Sequence, residues 1–477
     1  MAFYHGISTN EKATALAAPT EISVGITFAV GTAPVQQVGG AANKLVFANN
    51  YSEAVAALGY SDDWEKFTLC EVMKTHFQLY GVGPVIFVNV LDPATHKKSV
   101  SSAEVQLTDG RAELPETAIL STLEVKASSG GETLTEGTDY TAFYSNGKLI
   151  VEKVSGGGIS GSSVYIAYDE VDTSEVNGTA IIGGVDTNGV KSGLELVNSV
   201  FTKYGVVPEF IIAPGFSSDN AVAAVMQAKA NNICGLFKGK AIIDADCTSV
   251  KKYSDVYSWK SDKNINGENE VLCWPMVSLA GVKYHLSSHF AALAAQVDTG
   301  NDGIPSESPS NKSLQADSTV LADGTEVLLE LADANVLNSK GIVTAFNFAG
   351  RFTLWGNYTA CYPGSTDVKD YFIPVNRMFG YVAQSVILSF WSRIDDKMSR
   401  RLIDTIMDSV NIWLNGLKTG EHILGGRVEF NSDENTVTDL MAGKMKFHIF
   451  ITPPSPAQEM EFTLEYDADY LTAALAG

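Results

Sequence analysis

The stretch from Lys444 to Gly477 places the tightest limits on what this chain can become. From Lys444 to Ile451 the side chains alternate: Met445, Phe447, Ile449 and Ile451 fall on one face, Lys444, Lys446 and His448 on the other. Pro453, Pro454 and Pro456 then stop any ladder, because proline lacks the N–H a strand donates. A second alternation follows, with Met460, Phe462, Leu464 and Tyr466 on one side and Glu459, Glu461, Thr463 and Glu465 on the other. Period two is the mark of a half-buried strand. A strand beyond a proline spacer at a chain end has no obvious sheet of its own, and its unpaired N–H and C=O groups are a template for another chain. The expectation is an arm handed to a neighbouring subunit, and so an assembly protein.

At 477 residues the chain has room for two to four domains. The pattern predicts a multi-domain α/β (α+β) fold. Ile22 to Val30 alternates as a strand; Asn50 caps a helix ended by Gly59; Phe67 to Tyr80 has helical spacing and stops at Gly81. Pro84 to Leu91 is apolar at nearly every position, which suits a strand covered on both faces. At about Ser99 the text turns β-rich, and Asn146-Gly147 between two strand-like runs is a two-residue hairpin signal. Strand–helix alternation resumes with a helix over Ser192 to Tyr204, the strand Pro208 to Ala213, a helix capped by Asp219, the strand Lys240 to Asp244, then Trp274 to Ala280 and a helical Val282 to Ala295. Asn301 to Asp323 reads as a long loop, and two long helices follow, roughly Pro374–Trp391 and Lys397–Leu417. The expected division is an N-terminal arm (1–20), an α/β core (21–98 plus 179–335), an inserted β-rich outer domain (99–178), a C-terminal α/β domain (336–454) and a C-terminal arm (455–477).

The net charge of −22 argues against nucleic-acid binding, which needs Lys and Arg to neutralise phosphates. Residues 101–180 carry 13 Asp and Glu against 4 Lys and Arg, so −9 sits in one sixth of the chain. No apolar run approaches a membrane span, and there is no secretory signal, so cytoplasmic synthesis is expected. Five cysteines without a CxxC read as buried free thiols.

Catalytic patterns fail one by one. His285 and His289 have metal-capable spacing, but HLSSH lacks the glutamate of a zincin. A calcium loop from Asp298 would need glutamate where Pro309 stands. There is no GxGxxG after a strand, no GxxxxGK[ST] (Gly235 to Lys240 has the wrong spacing) and no GxSxG. Asp244 and Asp246 have no His or Lys partner in sequence reach. No enzyme activity and no cofactor are expected. One polar feature stands apart: on a helix expected over Ser392–Leu417, Arg393, Lys397, Arg400 and Arg401 fall at i, i+4, i+7 and i+8, one face. It is either a face paired with the local Asp395, Asp396 and Asp404 or a patch for an acidic partner.

Taken in chain order, Tyr4-His5-Gly6-Ile7, the strand Val85 to Val90, Pro208 to Gly215, the loop Asp298 to Leu314, Phe352 to Tyr358, Ala442 to Lys446, the Thr452-Pro453-Pro454 spacer and a terminal strand ending at Tyr470-Leu471 resemble the contractile tail sheath proteins of myophages and R-type bacteriocins. The departure is the β-rich segment 99–178, an outward-facing insertion by that resemblance. The resemblance implies a subunit that polymerises as stacked six-fold rings around a tail tube. N- and C-terminal arms (here Tyr4 and Ile7, and Met460, Phe462, Leu464 and Tyr466) add strands to neighbouring subunits. A baseplate signal triggers contraction that drives the tube through a cell envelope, with no nucleotide hydrolysed. Tube, baseplate and tail terminator proteins are the implied partners, the virion tail or bacteriocin particle the implied location, with no direct nucleic-acid contact and no membrane insertion. Leu16–Thr20 and Thr452–Glu459 would be hinges, and the stripe from Arg393 to Arg401 would face the tube. An α/β enzyme without a recognisable motif and another self-assembling virion protein are the competing readings.

Overall fold

The fold is a computed structural model that describes residues 24–476. The expected N-terminal arm, with Tyr4, Ile7 and the Leu16–Thr20 hinge, lies outside the described residues.

Strands β1 (Thr27–Gly31), β2 (Leu45–Ala48) and β3 (Val85–Asn89) begin the main sheet. β1 is buried at every position, because it lies at the centre of the sheet, parallel to β3 on one side. Between β2 and β3 run the helix Tyr51–Leu58, whose Asn50 accepts a hydrogen bond from the Glu53 N–H, and the helix Thr68–Met73, which continues as a wider π turn to Tyr80. Gly81 ends it at φ 65°, a left-handed conformation that glycine adopts without steric cost.

Six strands then form a separate β unit: β4 (Lys97–Gln106), β5 (Arg111–Pro115), β6 (Glu124–Lys126), β7 (Tyr140–Ser145), β8 (Lys148–Lys153) and β9 (Ser163–Val171). They make two three-stranded sheets, β4-β9-β6 and β5-β8-β7, around a core that includes Ala112, Leu149, Val151, Val164 and Ile166. Asn146 and Gly147 both take positive φ (50° and 69°), as a type I′ turn requires, and they join β7 to β8. The strands run from Lys97 to Val171, so β4 begins two residues before the expected start at 99, and Asn177 already caps the helix Gly178–Ile182.

The chain returns through a two-residue ribbon, β10 (Gly184–Val185) and β11 (Lys191–Ser192), and a 3-10 turn leading into the helix Val197–Tyr204. β12 (Phe210–Ile212), β13 (Lys240–Asp244) and β14 (Glu270–Cys273) extend the main sheet, each parallel to the one before. Asp219 caps the helix Asn220–Asn231 between the first two, accepting from Ala221 and Val222. β15 (Met276–Leu279), β16 (Val282–Tyr284) and β17 (Ser318–Val320) form a small antiparallel sheet. Two expectations are corrected there. Val282 to Tyr284 is a strand, the helix starting only at Leu286, and the loop over 301–323 contains β17. Gly281, at φ 80° in the tight turn after Leu279, brings Val282 back along β15, so tertiary pairing overrides a helix-compatible pattern.

β18 (Ile342–Phe348) and β19 (Arg351–Trp355) close the main sheet, in the order β19-β18-β14-β13-β12-β1-β3-β2. β18 runs parallel to β14, so residues beyond the boundary expected at 335/336 complete the core sheet rather than start a new one. Successive residues of the parallel strands face opposite layers: Ala29, Phe87, Phe210 and Ile242 join one apolar cluster, while Phe28, Ile86, Ile211 and Ala241 join the other.

Two helices, Ile373–Phe390 and Arg400–Thr419, then support the last ribbon, β20 (Gly425–Glu429) with β21 (His448–Thr452). Arg377 ties the first of these helices to the core. Its side chain is fully buried; Nε lies 2.5 Å from Glu209 Oε1 and Nη1 3.1 Å from Asp298 Oδ1, and Nη2 also reaches both carboxylates. The Gly25 N–H donates to Glu209 at 2.7 Å, which draws the start of β1 into the same knot. Burial pushes Asp298 up to about 6, against the lowering effect of Arg377.

Candidate assembly surfaces

β21 reproduces the first tail alternation. Phe447, Ile449 and Ile451 pack against a cluster that includes Ile406, Val410, Leu414 and Val428, while Lys444, Lys446 and His448 are exposed. Lys444 to Phe447 precede the strand, held instead by Asn435, which bonds both the N–H and the C=O of Lys446. Among the described residues β20 and β21 pair only with each other, so both outer edges of the ribbon are open. Such edges accept further strands.

The second alternation behaves differently. After the prolines, Tyr358 donates its hydroxyl hydrogen bond to Gln458 at 2.5 Å, and beyond that tether the chain leaves the body. Met460, Phe462, Leu464 and Tyr466 are 72%, 83%, 95% and 80% exposed, and the acidic residues between them are exposed too. The segment forms no strand, because within one copy no sheet edge is paired with it. The terminal strand expected to reach Tyr470-Leu471 is corrected outright: Ala468–Leu475 is a helix, with Asp467 accepting from the Asp469 N–H. Three alanines and two leucines favour helix, and the aspartate supplies the cap.

The basic stripe does not survive as one helical face. Arg393 ends a 3-10 turn, Lys397 lies in a loop, and only Arg400 and Arg401 are helical. Ser399 starts the second helix, its hydroxyl accepting from Leu402 N at 3.2 Å, and Asp395 sits at φ 70° in the break. Aspartate and serine compete locally with helical bonding, which breaks the expected continuous helix here. Arg393 pairs with Asp396 at 3.5 Å and Arg400 with Asp404 at 2.9 Å; among the described residues neither Lys397 nor Arg401 forms an ion pair. Trp391 and Ile394, 60% and 66% exposed, flank them, so the feature is a mixed apolar and basic loop.

The titratable groups elsewhere act as structural ties. His285 is not partnered with His289; its Nδ1 lies 2.7 Å from Glu71 Oε2, and its N–H donates to Oε1. Burial alone would lower its pKa, but Glu71, with Asp244 behind it, pushes it up to about 9. His289 stacks edge-on to Tyr80 and Tyr284, bonds the Tyr80 hydroxyl at 3.0 Å, and is driven down to about 3 by burial. Asp244 accepts from Ser287 and Ser217, while Asp246 caps Thr248, so the two carboxylates do separate work. Asp298, which heads the loop that fails as a calcium site, pairs with Arg377. Among the described residues no group of three or more His, Cys, Asp or Glu is placed to hold a metal ion, and no helix is long and apolar enough to cross a membrane. Four of the five free cysteines are buried; Cys234 is half-buried.

The His285 tie has a signed pH dependence. A histidine raised from about 6.5 to about 9 adds stability that is fully present below pH 6.5 and is lost as pH rises through 9. Urea unfolding of wild type against His285→Gln is expected to show a gap that shrinks by about 3 kcal/mol between pH 6 and pH 9.5. A gap that stays constant or widens over that range contradicts the ion pair.

The tail sheath protein of Burkholderia phage BcepMu is 28% identical over 495 residues, spanning 100% of this chain and 99% of the relative. Over its whole length the chain is similar to contractile tail sheath proteins. The tail sheath protein of Escherichia phage P2 is 24% identical over 296 residues, 61% of this chain and 71% of that one. The solved helical sheath of the anti-feeding prophage in its contracted state matches with a TM-score of 0.60 at 12% identity, over 98% of this chain and 100% of that one. At that identity it shows the fold, an α/β multi-domain one. No family model matches the sequence. The relatives are structural sheath proteins, not enzymes, which agrees with ion pairs and caps engaging this chain's candidate catalytic groups.

Proposed function

We propose that this chain polymerises as stacked six-fold rings around a tail tube and contracts to drive that tube through a target cell envelope. One observation carries the reading: a folded ribbon with two open edges stands beside a proline spacer, and beyond it runs an extended apolar segment that its own subunit leaves uncovered. Residues 460–466 of one copy would add a strand to the β20–β21 ribbon of another, and the N-terminal arm would fill the second edge. Pro453 to Glu459 is the joint that keeps copies linked while the bodies rotate. The working division is a sheet body (24–96 and 172–355), the β insertion (97–171), a C-terminal unit (373–452) and the arm (453–476).

The loop carrying Arg393 and Lys397, with Arg400 and Arg401 at the next helix start, is assigned to the tube, with baseplate and terminator proteins at the two ends of the stack. The particle is a virion tail or a bacteriocin made in a bacterial host. Electron microscopy of the purified chain tests assembly: striated helical tubes are expected, and discrete small oligomers would favour the enzyme reading. Reversing Arg393, Lys397, Arg400 and Arg401 to Glu is expected to abolish assembly on tubes; normal extended tails from that variant sink the tube assignment.

A further inference from the structure

The helix Ala468–Leu475 is unexplained by strand donation. It carries an apolar stripe, Ala468, Leu471 and Leu475 at i, i+3 and i+7, and Leu471 and Leu475 are 50% and 79% exposed. An eight-residue helix is marginal in water and needs a surface to dock on. Its first turn is acidic, with Asp467 and Asp469.

Among the described residues the body offers a surface of matching apolar character. A groove of about 330 Å³ runs along the outer side of the helix Ile373–Phe390, against Leu236 and Phe237. Phe379 and Leu236 are 37% and 42% exposed, and Ala383 and Ile387 continue the stripe at i+4 and i+8 from Phe379. From Phe379 to Ile387 the helix rises about 12 Å, the length of an eight-residue helix. Gly380 sits between them, and a Cβ there would meet nothing within 4 Å, so a second helix can come close. Its charged rim is mixed: Lys238 pairs with Glu268 at 3.2 Å and Lys369 with Asp370, both lysine side chains staying half exposed, while Lys240 is buried and its pKa is lowered by that burial to about 7. The crevice at Asp62, Asp63 and Glu65 would repel an acidic helix start, and the hollow at Trp355 is already walled by residues 454–459 of the same chain.

We propose that the helix Ala468–Leu475 of one copy seats in this groove on a second copy, with Leu471 and Leu475 against Leu236, Phe379 and Ile387, and its aspartates toward Lys238 and Lys369. The inference deepens the arm reading: the arm carries a strand and, behind it, a helical lock.

Ala383→Cys subunits mixed with Leu471→Cys subunits and oxidised are expected to give a covalent dimer on non-reducing gels, which neither variant gives alone. A mixture without dimer overturns the groove. So does a double variant that cross-links within single chains and leaves the mixture monomeric, since the helix would then dock on its own body. The cross-link is read in unassembled mixtures as well as in tubes. Absence of tubes from the wild type therefore counts against the arm reading, and absence of dimer against the groove. Deleting 467–477 while keeping 460–466 is expected to raise the protein concentration needed for tubes about tenfold or more. An unchanged threshold contradicts the lock.

Discussion

Deleting residues 455–477 is expected to leave a folded subunit that sediments as a monomer and forms no tubes. Within one copy residues 455–459 wall the hollow at Trp355 and Gln458 accepts from Tyr358, while residues 460–476 are exposed, so removing the segment should change the stability of the subunit by about 1 kcal/mol or less. Between copies the account differs. Met460, Phe462, Leu464 and Tyr466 are each at least 72% exposed, and burying such a side chain gains about 1.5–3 kcal/mol. Ordering the backbone of the segment costs about 1–2 kcal/mol per residue, which offsets much of that gain. A single donated strand is thus a modest tie, and its strength lies in every subunit making it at once. Circular dichroism should match the full chain while sedimentation and microscopy differ. Striated tubes from the shortened chain would refute the role given to the arm.

Replacing Arg377 with Met should be the most damaging single substitution in the body. It removes the cation between two carboxylates, one of them, Asp298, only 1% exposed, and breaking such a buried set costs about 3–5 kcal/mol. The cost also has a direction in pH. Burial already lifts Asp298 to about 6 with the guanidinium present; without it the neutral acid is favoured further. The variant should therefore lose least against wild type near pH 5 and most near pH 8, as read from urea midpoints. A loss under about 1 kcal/mol, or one that ignores pH, would show that Arg377 does not hold the helix Ile373–Phe390 to the sheet.

Much of this was legible in the residues because it depends on local chemistry. Asn50, Asp219, Gly81 and Asn146-Gly147 act through bonds or dihedrals within a few positions, and each does in the fold what its type predicts. The fully apolar Val85 to Val88 likewise announced a strand covered on both sides. What escaped is set by distant partners or by competing local caps. Nothing near Arg377 in the sequence points to Glu209, 168 positions away. Val282 to Tyr284 is a strand only because β15 lies beside it. The basic stripe assumed an unbroken helix, and the signal against it, Asp395-Asp396 followed by the cap Ser399, was present but outweighed by periodicity. The terminal helix is hidden for the opposite reason: the alternation runs through Tyr466 right up to Asp467, an aspartate that caps a helix instead of continuing the strand.

The pairing of β4 with β9 places Lys97 opposite Val171, so the polypeptide enters and leaves the inserted unit on adjacent strands, about 5 Å apart. Seventy-odd residues therefore hang from a single doorway, with their own apolar interior behind it. A short linker across that doorway should close the body without disturbing the main sheet, and any foreign module with neighbouring termini could be hung there instead. In a particle built from many identical copies, the same position would become a regularly spaced display peg.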